Sequence, residues 1–416
     1  MTHWMRATCL AIALAPFASE AGAADAAPVP ADASWLMPAL SYDGSMLGDL
    51  RGGARRGSTY VGNLHLKLTA QGDAIGLPGT SAFADLLTIH GGRPSRLVGD
   101  AQGTSNLEGP AGTQVEELWV QHNFEGSSAS LLVGIYDLNS EFYRLQAAGL
   151  FVNSAFGIGP EFAQSGVEGP SIFPRTAAGV RLAFKPSANT VLRTALLDGV
   201  PVVRPDGARA AFRGGDGLLA VAEFALLSRG SAGAAPTAEM RDRIGRLSSL
   251  EPYDHKLAFG AWRYTGRFAD LSDTDAAGAP QQRRGSSGAY AVGERLLIGG
   301  DGSSGRRLAV FAQSGIADPR TNRFGAYVGA GIVGSGWRAS DQFGVSIAQA
   351  RNGSHYLRSQ APQRPGRAET ALELSYLTPV SKHLSLQPDI QYIVRPNTDR
   401  SNANALVVQL RFEVGL

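Results

Sequence analysis

Cysteine is all but missing from this chain: among 416 residues there is one, Cys9, close to the N-terminus. A lone thiol excludes an internal disulfide and a cysteine-built metal centre. An excess of charge of one sign is missing too. Lys and Arg number 38 against 36 Asp and Glu, a formal charge of +2, so no nucleic acid or other bulk polyanion is expected as a partner. Long apolar runs are the third absence. Hydrophobic residues make up 44% of the chain, yet beyond the N-terminus no run approaches the roughly 18 residues that a membrane helix needs.

The motifs of common chemistries are scarce as well. No Gly-x-Ser-x-Gly elbow occurs. His65 and His122 have no second His or Cys nearby in sequence, so no metal site is expected. Gly329–Gly334 fits a dinucleotide fingerprint in letters only, since the run is strand-like and no helical pattern follows it; no cofactor is expected. Asp270, Asp273 and Asp275 lack the spacing of a calcium loop and read as a solvated acidic loop.

What is there begins with an export signal. Arg6 gives a positive start, Ala7–Phe17 an apolar centre and Ala21-Gly22-Ala23 a small-residue cleavage site. Residues 1–23 are expected to be removed, leaving one domain over 24–416. Arg6 and Glu20 leave with them, so 38 − 1 = 37 basic residues face 36 − 1 = 35 acidic ones.

The 52 glycines and short Val, Leu and aromatic segments broken by Gly, Asn, Asp and Pro predict many strands joined by turns. Several segments alternate in the manner of a membrane strand with one face to lipid and the other to a wet lumen. At the C-terminus Leu406, Val408, Leu410, Phe412, Val414 and Leu416 share a face opposite Gln409, Arg411 and Glu413. Leu384, Leu386, Ile390, Tyr392 and Val394 do so opposite Gln387, Asp389 and Gln391, with Pro388 on the apolar side predicting a bulge or irregularity. The same holds for Leu64, Leu66 and Leu68 against His65 and Lys67, for Val180, Leu182 and Phe184 against Arg181, and for Leu372 and Leu374 against Glu373. Charges at every second position need a watery interior, because an unpaired charge in a dry core costs several kcal/mol. Ladder closure also satisfies every backbone group inside a bilayer.

Ser228–His255, Thr265–Gly288 and Arg351–Ala368 are polar enough to be long outward loops. Asp137–Pro174 is too long for an ordinary connection and carries Asn139, Glu141, Arg144 and Glu161 among aromatics and glycines. It is expected to fold into the barrel and narrow it, with a short helix near Glu141–Ala148; the plainer alternative is an external loop packed on its neighbours.

Strings along nearly the whole mature chain resemble the carbohydrate-selective porins of the OprB type. They include Val133-Gly134-Ile135-Tyr136-Asp137, Asn153-Ser154-Ala155-Phe156-Gly157, Gly169-Pro170-Ser171-Ile172-Phe173-Pro174, Asp198-Gly199-Val200-Pro201, Ala317-Asp318-Pro319 and Ala350-Arg351-Asn352-Gly353. The resemblance implies an all-β fold, a single antiparallel transmembrane barrel of about 16 strands, and passive diffusion of sugars without catalysis. The terminal Leu416 departs from the aromatic residue with which outer-membrane proteins usually end. Implied partners are small sugars as solutes, outer-membrane lipids and the barrel-assembly machinery, with a homo-oligomer and a monomer both left open; the implied location is the outer membrane of a Gram-negative bacterium.

Sugar hydroxyls ask for donors and acceptors and the ring faces for an aromatic platform. By alternation the candidate pore lining is Lys67, Glu117, Trp119, Gln121, Arg181, Glu373, Gln387, Asp389, Gln391, Gln409 and Arg411. Tyr264, Tyr327, Tyr376 and Tyr392 are assigned to the interfacial belts. Three other functions stay open: a non-selective porin, a secreted sugar-binding β-protein, and a barrel hydrolase using His122 with Ser127 or Ser130.

Overall fold

A computed structural model of the chain describes residues 35–415 except 125–127, 202–214, 216, 229–252, 300–304 and 338–340. The export signal, Cys9 and Leu416 lie outside the described residues.

Sixteen antiparallel strands close into one barrel, each paired with its sequence neighbours and the first with the last. They are β1 Leu36–Arg51, β2 Gly57–Gln71, β3 Thr80–Gly91, β4 Gly112–Asn123, β5 Ala129–Tyr136, β6 Ala177–Ser187, β7 Thr190–Asp198 and β8 Leu218–Ser228. Then follow β9 His255–Thr274, β10 Pro280–Ile298, β11 Arg307–Ala317, β12 Phe324–Ser335, β13 Gln342–Asn352, β14 Ala368–Pro379, β15 Leu384–Val394 and β16 Ala405–Gly415. Closure runs through ten register pairs between β1 and β16, from Ser41–Gly415 to Arg51–Leu406.

The apolar/polar alternation sets the two faces as expected. Leu64, Leu66, Val180, Leu182, Leu372, Leu374, Ile390 and Leu410 are exposed on the outside, while Arg181, Glu373, Gln391 and Gln409 are buried inside. Pro388 faces outward without shifting the register. The β14–β15 ladder skips its pair and resumes at Thr378–Leu386, because the missing N–H removes one rung and the pyrrolidine still fits an outward position.

Five expectations change. Thr265–Gly288 is not a loop: β9 and β10 run through it and turn at 275–279. Above the apolar zone both faces of a strand are wet, so the ladder continues without alternation, and Arg283 binds Asp270 at 2.8 Å and Asp273 at 2.9 Å across it. Asp270 is thereby buried and ion-paired rather than solvated. Tyr264 and Tyr327 are not belt residues; both are almost fully buried inside the barrel, where their apolar-looking strands meet an apolar plug. The helix awaited near Glu141–Ala148 is absent, and the segment instead makes short turns at Leu138–Ser140, Ala147–Leu150 and Ser154–Phe156 plus one helical turn, α2, Pro160–Ala163. Finally, the interior is not wet throughout. Phe142, Tyr143, Phe151, Phe156 and Phe162 from the 137–176 connection pack against inward Trp262, Tyr290, Phe311 and Tyr327, with Phe162 stacked on Trp262 at 5.0 Å.

The 351–368 loop carries a short helix, α3, Ser354–Ser359, and Gly329–Gly334 lies within β12. The flanks of the proposed 228–255 loop, Ser228 and His255, pair with each other; residues 229–252 lie outside the description. A second connection also folds inward. Residues 92–111, with α1 Pro94–Val98, join the 137–176 connection through Asn106 N–H to Val152 O at 2.8 Å and Ser154 N–H to Gly103 O at 2.8 Å.

Candidate functional site

A band of charge crosses the inner wall from β4 to β9. Arg181 on β6 donates to Ser130 Oγ at 2.6 Å and to the Gln121 side-chain carbonyl, and pairs with Glu141 of the 137–176 connection at 2.7 Å. Arg193 on β7 lies 3.9 Å from Glu141 and 3.7 Å from Glu223 on β8. Lys256 on β9 stands 3.6 Å from Glu223 and donates to the Arg144 carbonyl at 2.8 Å. Adjacent strands put these side chains side by side, and their alternating sign makes the burial tolerable. For Glu141 burial pushes the carboxyl up, but the Arg181 and Arg193 guanidinium groups outweigh it and hold it below its ordinary range.

The rest of the wall grips the folded-in backbone. Glu223 accepts the Tyr143 N–H at 2.8 Å and the Tyr290 hydroxyl at 2.9 Å. Glu294 accepts the N–H groups of Gln146 at 3.1 Å and Ala147 at 2.8 Å. Glu373 takes those of Val152 at 2.6 Å and Asn153 at 3.2 Å, and Glu369 those of Ala101 at 2.8 Å and Gln102 at 2.9 Å. Amide side chains hold the carbonyls: Gln387 to Leu150 at 2.5 Å, Gln313 to Phe156 at 3.0 Å, and Gln391 and Gln409 both to Thr104. A carboxylate that accepts two backbone N–H groups satisfies donors that an irregular buried segment otherwise leaves unpaired.

All eleven candidate lining residues face the interior, but they divide by role. Glu373, Gln387, Gln391 and Gln409 are spent on the inserted connections, and Asp389 accepts from Gln391 at 3.1 Å and Gln409 at 3.0 Å. Gln121 and Arg181 belong to the charged band. Lys67 is buried opposite Asp85. Trp119 does point inward, beside Phe83 at 5.5 Å, and donates to Glu117 at 2.8 Å. Glu117 and Arg411 keep partial exposure, and Arg411 donates to Asn106 at 2.7 Å. Of the constriction residues, Asn139 ties its own connection together through Phe142 O at 3.1 Å and Gly157 O at 2.9 Å. Arg144 is half-buried near the band, and Glu161 is buried beside Tyr143, whose hydroxyl it accepts at 3.0 Å.

Arg193, Glu223, Lys256, Glu294 and the whole 92–111 connection were not among the sequence candidates. Gly92, Pro94, Gly103, Gly109 and Pro110 mark that connection as irregular. Arg193 and Glu223 sit at alternate positions of Val191–Ala195 and Val221–Ala225, a signal as good as that of Arg181. His122 and Ser130 do not form a catalytic pair: Ser130 shares the inner face and binds Arg181, whereas the His122 ring meets Thr80 at 2.8 Å and Phe124. Ser127 lies outside the described residues.

The family model described as "Carbohydrate-selective porin, OprB family" matches residues 55–416. OprB of Pseudomonas putida, in its high-pH structure, superposes with a TM-score of 0.77 at 18% identity, covering 92% of this chain and 94% of that one. The channel DcaP of Acinetobacter baumannii superposes at 0.51 with 10% identity, over 97% of this chain and 100% of that one. A mutant porin of Rh. blastica does so at 0.50 with 10% identity, over 92% and 100%. At such identities the likeness shows the fold. No curated protein matches the sequence.

Proposed function

The chain belongs to the carbohydrate-selective porin family and is an outer-membrane channel for carbohydrates, and from that premise we propose how it passes them. The observation that carries the proposal is the insertion of two connections into the lumen, fixed by wall carboxylates. Solute passes the polar groups that the inserted connections leave partly exposed, Glu117, Arg144 and Arg411, which serve as acceptor and donors for sugar hydroxyls. Contacts that are few and weak suit transport, since a tight site stalls release. Glu373, Gln387, Gln391 and Gln409 act as struts in this scheme, and Glu141 with Arg181 as the clasp. The exposed Leu and Val of the outer face meet lipid, residues 1–23 direct export, and assembly passes through the machinery that inserts barrels. The interior performs no catalysis.

Uptake of monosaccharides, disaccharides and size-matched amino acids into proteoliposomes tests this, with Glu117→Ala and Arg144→Ala alongside. Sugars are expected to enter faster than amino acids of equal size, and each substitution to narrow that gap. Entry ordered by size alone makes the channel non-selective. Hydrolysis of a chromogenic ester, lost in His122→Ala, would overturn the absence of catalysis.

A further inference from the structure

On the wall beside the charged band, His65 of β2, Asp85 of β3 and Glu116 of β4 meet inside the barrel, all three side chains buried. His65 Nδ1 lies 2.9 Å and 3.2 Å from the two Asp85 oxygens and 3.5 Å from Glu116 Oε2. Their three offered atoms all fall within 4.8 Å of one another. Alternation alone does not bring Glu116 there. The β3–β4 register shifts between Asp85 and Leu86, so that Asp85 faces Glu117 and Leu86 faces Val115. Glu116 is the extra residue of a bulge and turns inward beside its neighbour.

We propose that His65, Asp85 and Glu116 form a binding site for one divalent transition-metal ion of the zinc class. With metal–ligand bonds near 2.0–2.2 Å, tetrahedral donors stand about 3.3–3.6 Å apart; here His65 Nδ1 stands 2.9 Å from Asp85 and 3.5 Å from Glu116, and the two carboxylates come within 4.8 Å of each other, so small side-chain shifts bring all three onto one ion. One imidazole and two carboxylates suit a borderline metal better than calcium or magnesium, which ask for six or more oxygens. Charge is compatible: two carboxylates stand at the site, and the nearby cation, Lys67, sits opposite Asp85 in the ladder. Bound metal would staple three consecutive strands next to Glu117 and Trp119. The site does not depend on which solute the channel passes.

The test is equilibrium dialysis of the detergent-solubilised full-length barrel against Zn2+ with metal analysis, repeated with Co2+ to read its visible bands. Wild type is expected to hold one zinc per chain. Affinity should fall by more than about tenfold, the least that even an outer partner of a metal is worth, in His65→Ala and in the conservative Glu116→Gln. Heat-modifiable gel mobility confirms that each variant is a barrel. His355→Ala, in the separate Asp270, Asp273, His355 group at the rim, should leave the zinc in place. Absence of stoichiometric zinc, zinc unchanged in a folded Glu116→Gln barrel, or zinc lost in His355→Ala would overturn the assignment.

Discussion

Glu161 stands at the first turn of α2 with its side chain buried, and its Oε2 has no hydrogen-bond partner among the described residues. The carboxyl lies over Gly315, where a Cβ would collide with Oε1, so the wall has been cut back to admit it. Burial pushes this acid up to about 7, against the downward pull of backbone N–H groups and the Tyr143 hydroxyl. Tyr143 and Tyr327 face it, both as neutral phenols, and no described ion pair includes it. A folded value above the ordinary carboxylate value means that the docked connection binds the proton more tightly than the released one does. The stabilisation is complete below pH 4.5 and is lost as pH rises through about 7, an effect of about 3 kcal/mol. Single-channel records should therefore show more frequent large-conductance openings at pH 8 than at pH 5. Glu161→Gln, which keeps a hydrogen-bonding group but cannot ionise, should behave alike at both. Equal pH dependence in the variant would place the effect elsewhere.

Between strands, the inward connections are held by many small grips rather than by one. Removing the Glu373 acceptor leaves the N–H groups of Val152 and Asn153 buried without a partner, a cost of about 1–3 kcal/mol for each. Glu373→Ala combined with Glu294→Ala is expected to loosen the 137–176 connection, raise mean conductance and erase discrimination between sugars and amino acids of equal size. Glu373→Gln, which still accepts, should do less; unchanged conductance in the double variant would show that the aromatic plug suffices alone. This arrangement was half legible in the sequence. Alternation put Glu373 and Gln391 on the inner face, because the period of a strand is local. It gave no sign that they reach Val152 and Thr104, since a side chain hydrogen-bonded to backbone groups more than 200 residues away leaves no trace in spacing. Tyr264 and Tyr327 failed for a related reason: apolar residues inside a barrel imitate belt residues when the loop that covers them is unseen. The bulge at Glu116 was equally silent, being a register shift between two strands and not a pattern in one.

For the whole barrel, the exposed outer face and the buried inner face invert the economy of a water-soluble protein, and a charge tests this directly. Leu374 sits midway along β14 and is exposed on the outside between Val345 of β13 and Ile390 of β15. In water an exposed Leu→Arg change is nearly neutral. Facing hydrocarbon near the midplane, the same change costs about 2–4 kcal/mol, because the guanidinium must lose water or drag it inward. Leu374→Arg should therefore lower the stability of the barrel in lipid vesicles by that amount, read from reversible urea unfolding, while Leu410→Ala should cost less. The inner neighbour Ser375 faces away from lipid and accepts from Gln387 at 2.8 Å, so Ser375→Ala should cost only about 1 kcal/mol, the worth of a lost hydrogen bond rather than of a charge in hydrocarbon. A neutral Leu374→Arg in vesicles would mean that this stretch of β14 lies outside the hydrocarbon, shielded by another protein surface or beyond the membrane edge. Such a result would move the bilayer along the barrel without changing the ladder that closes it.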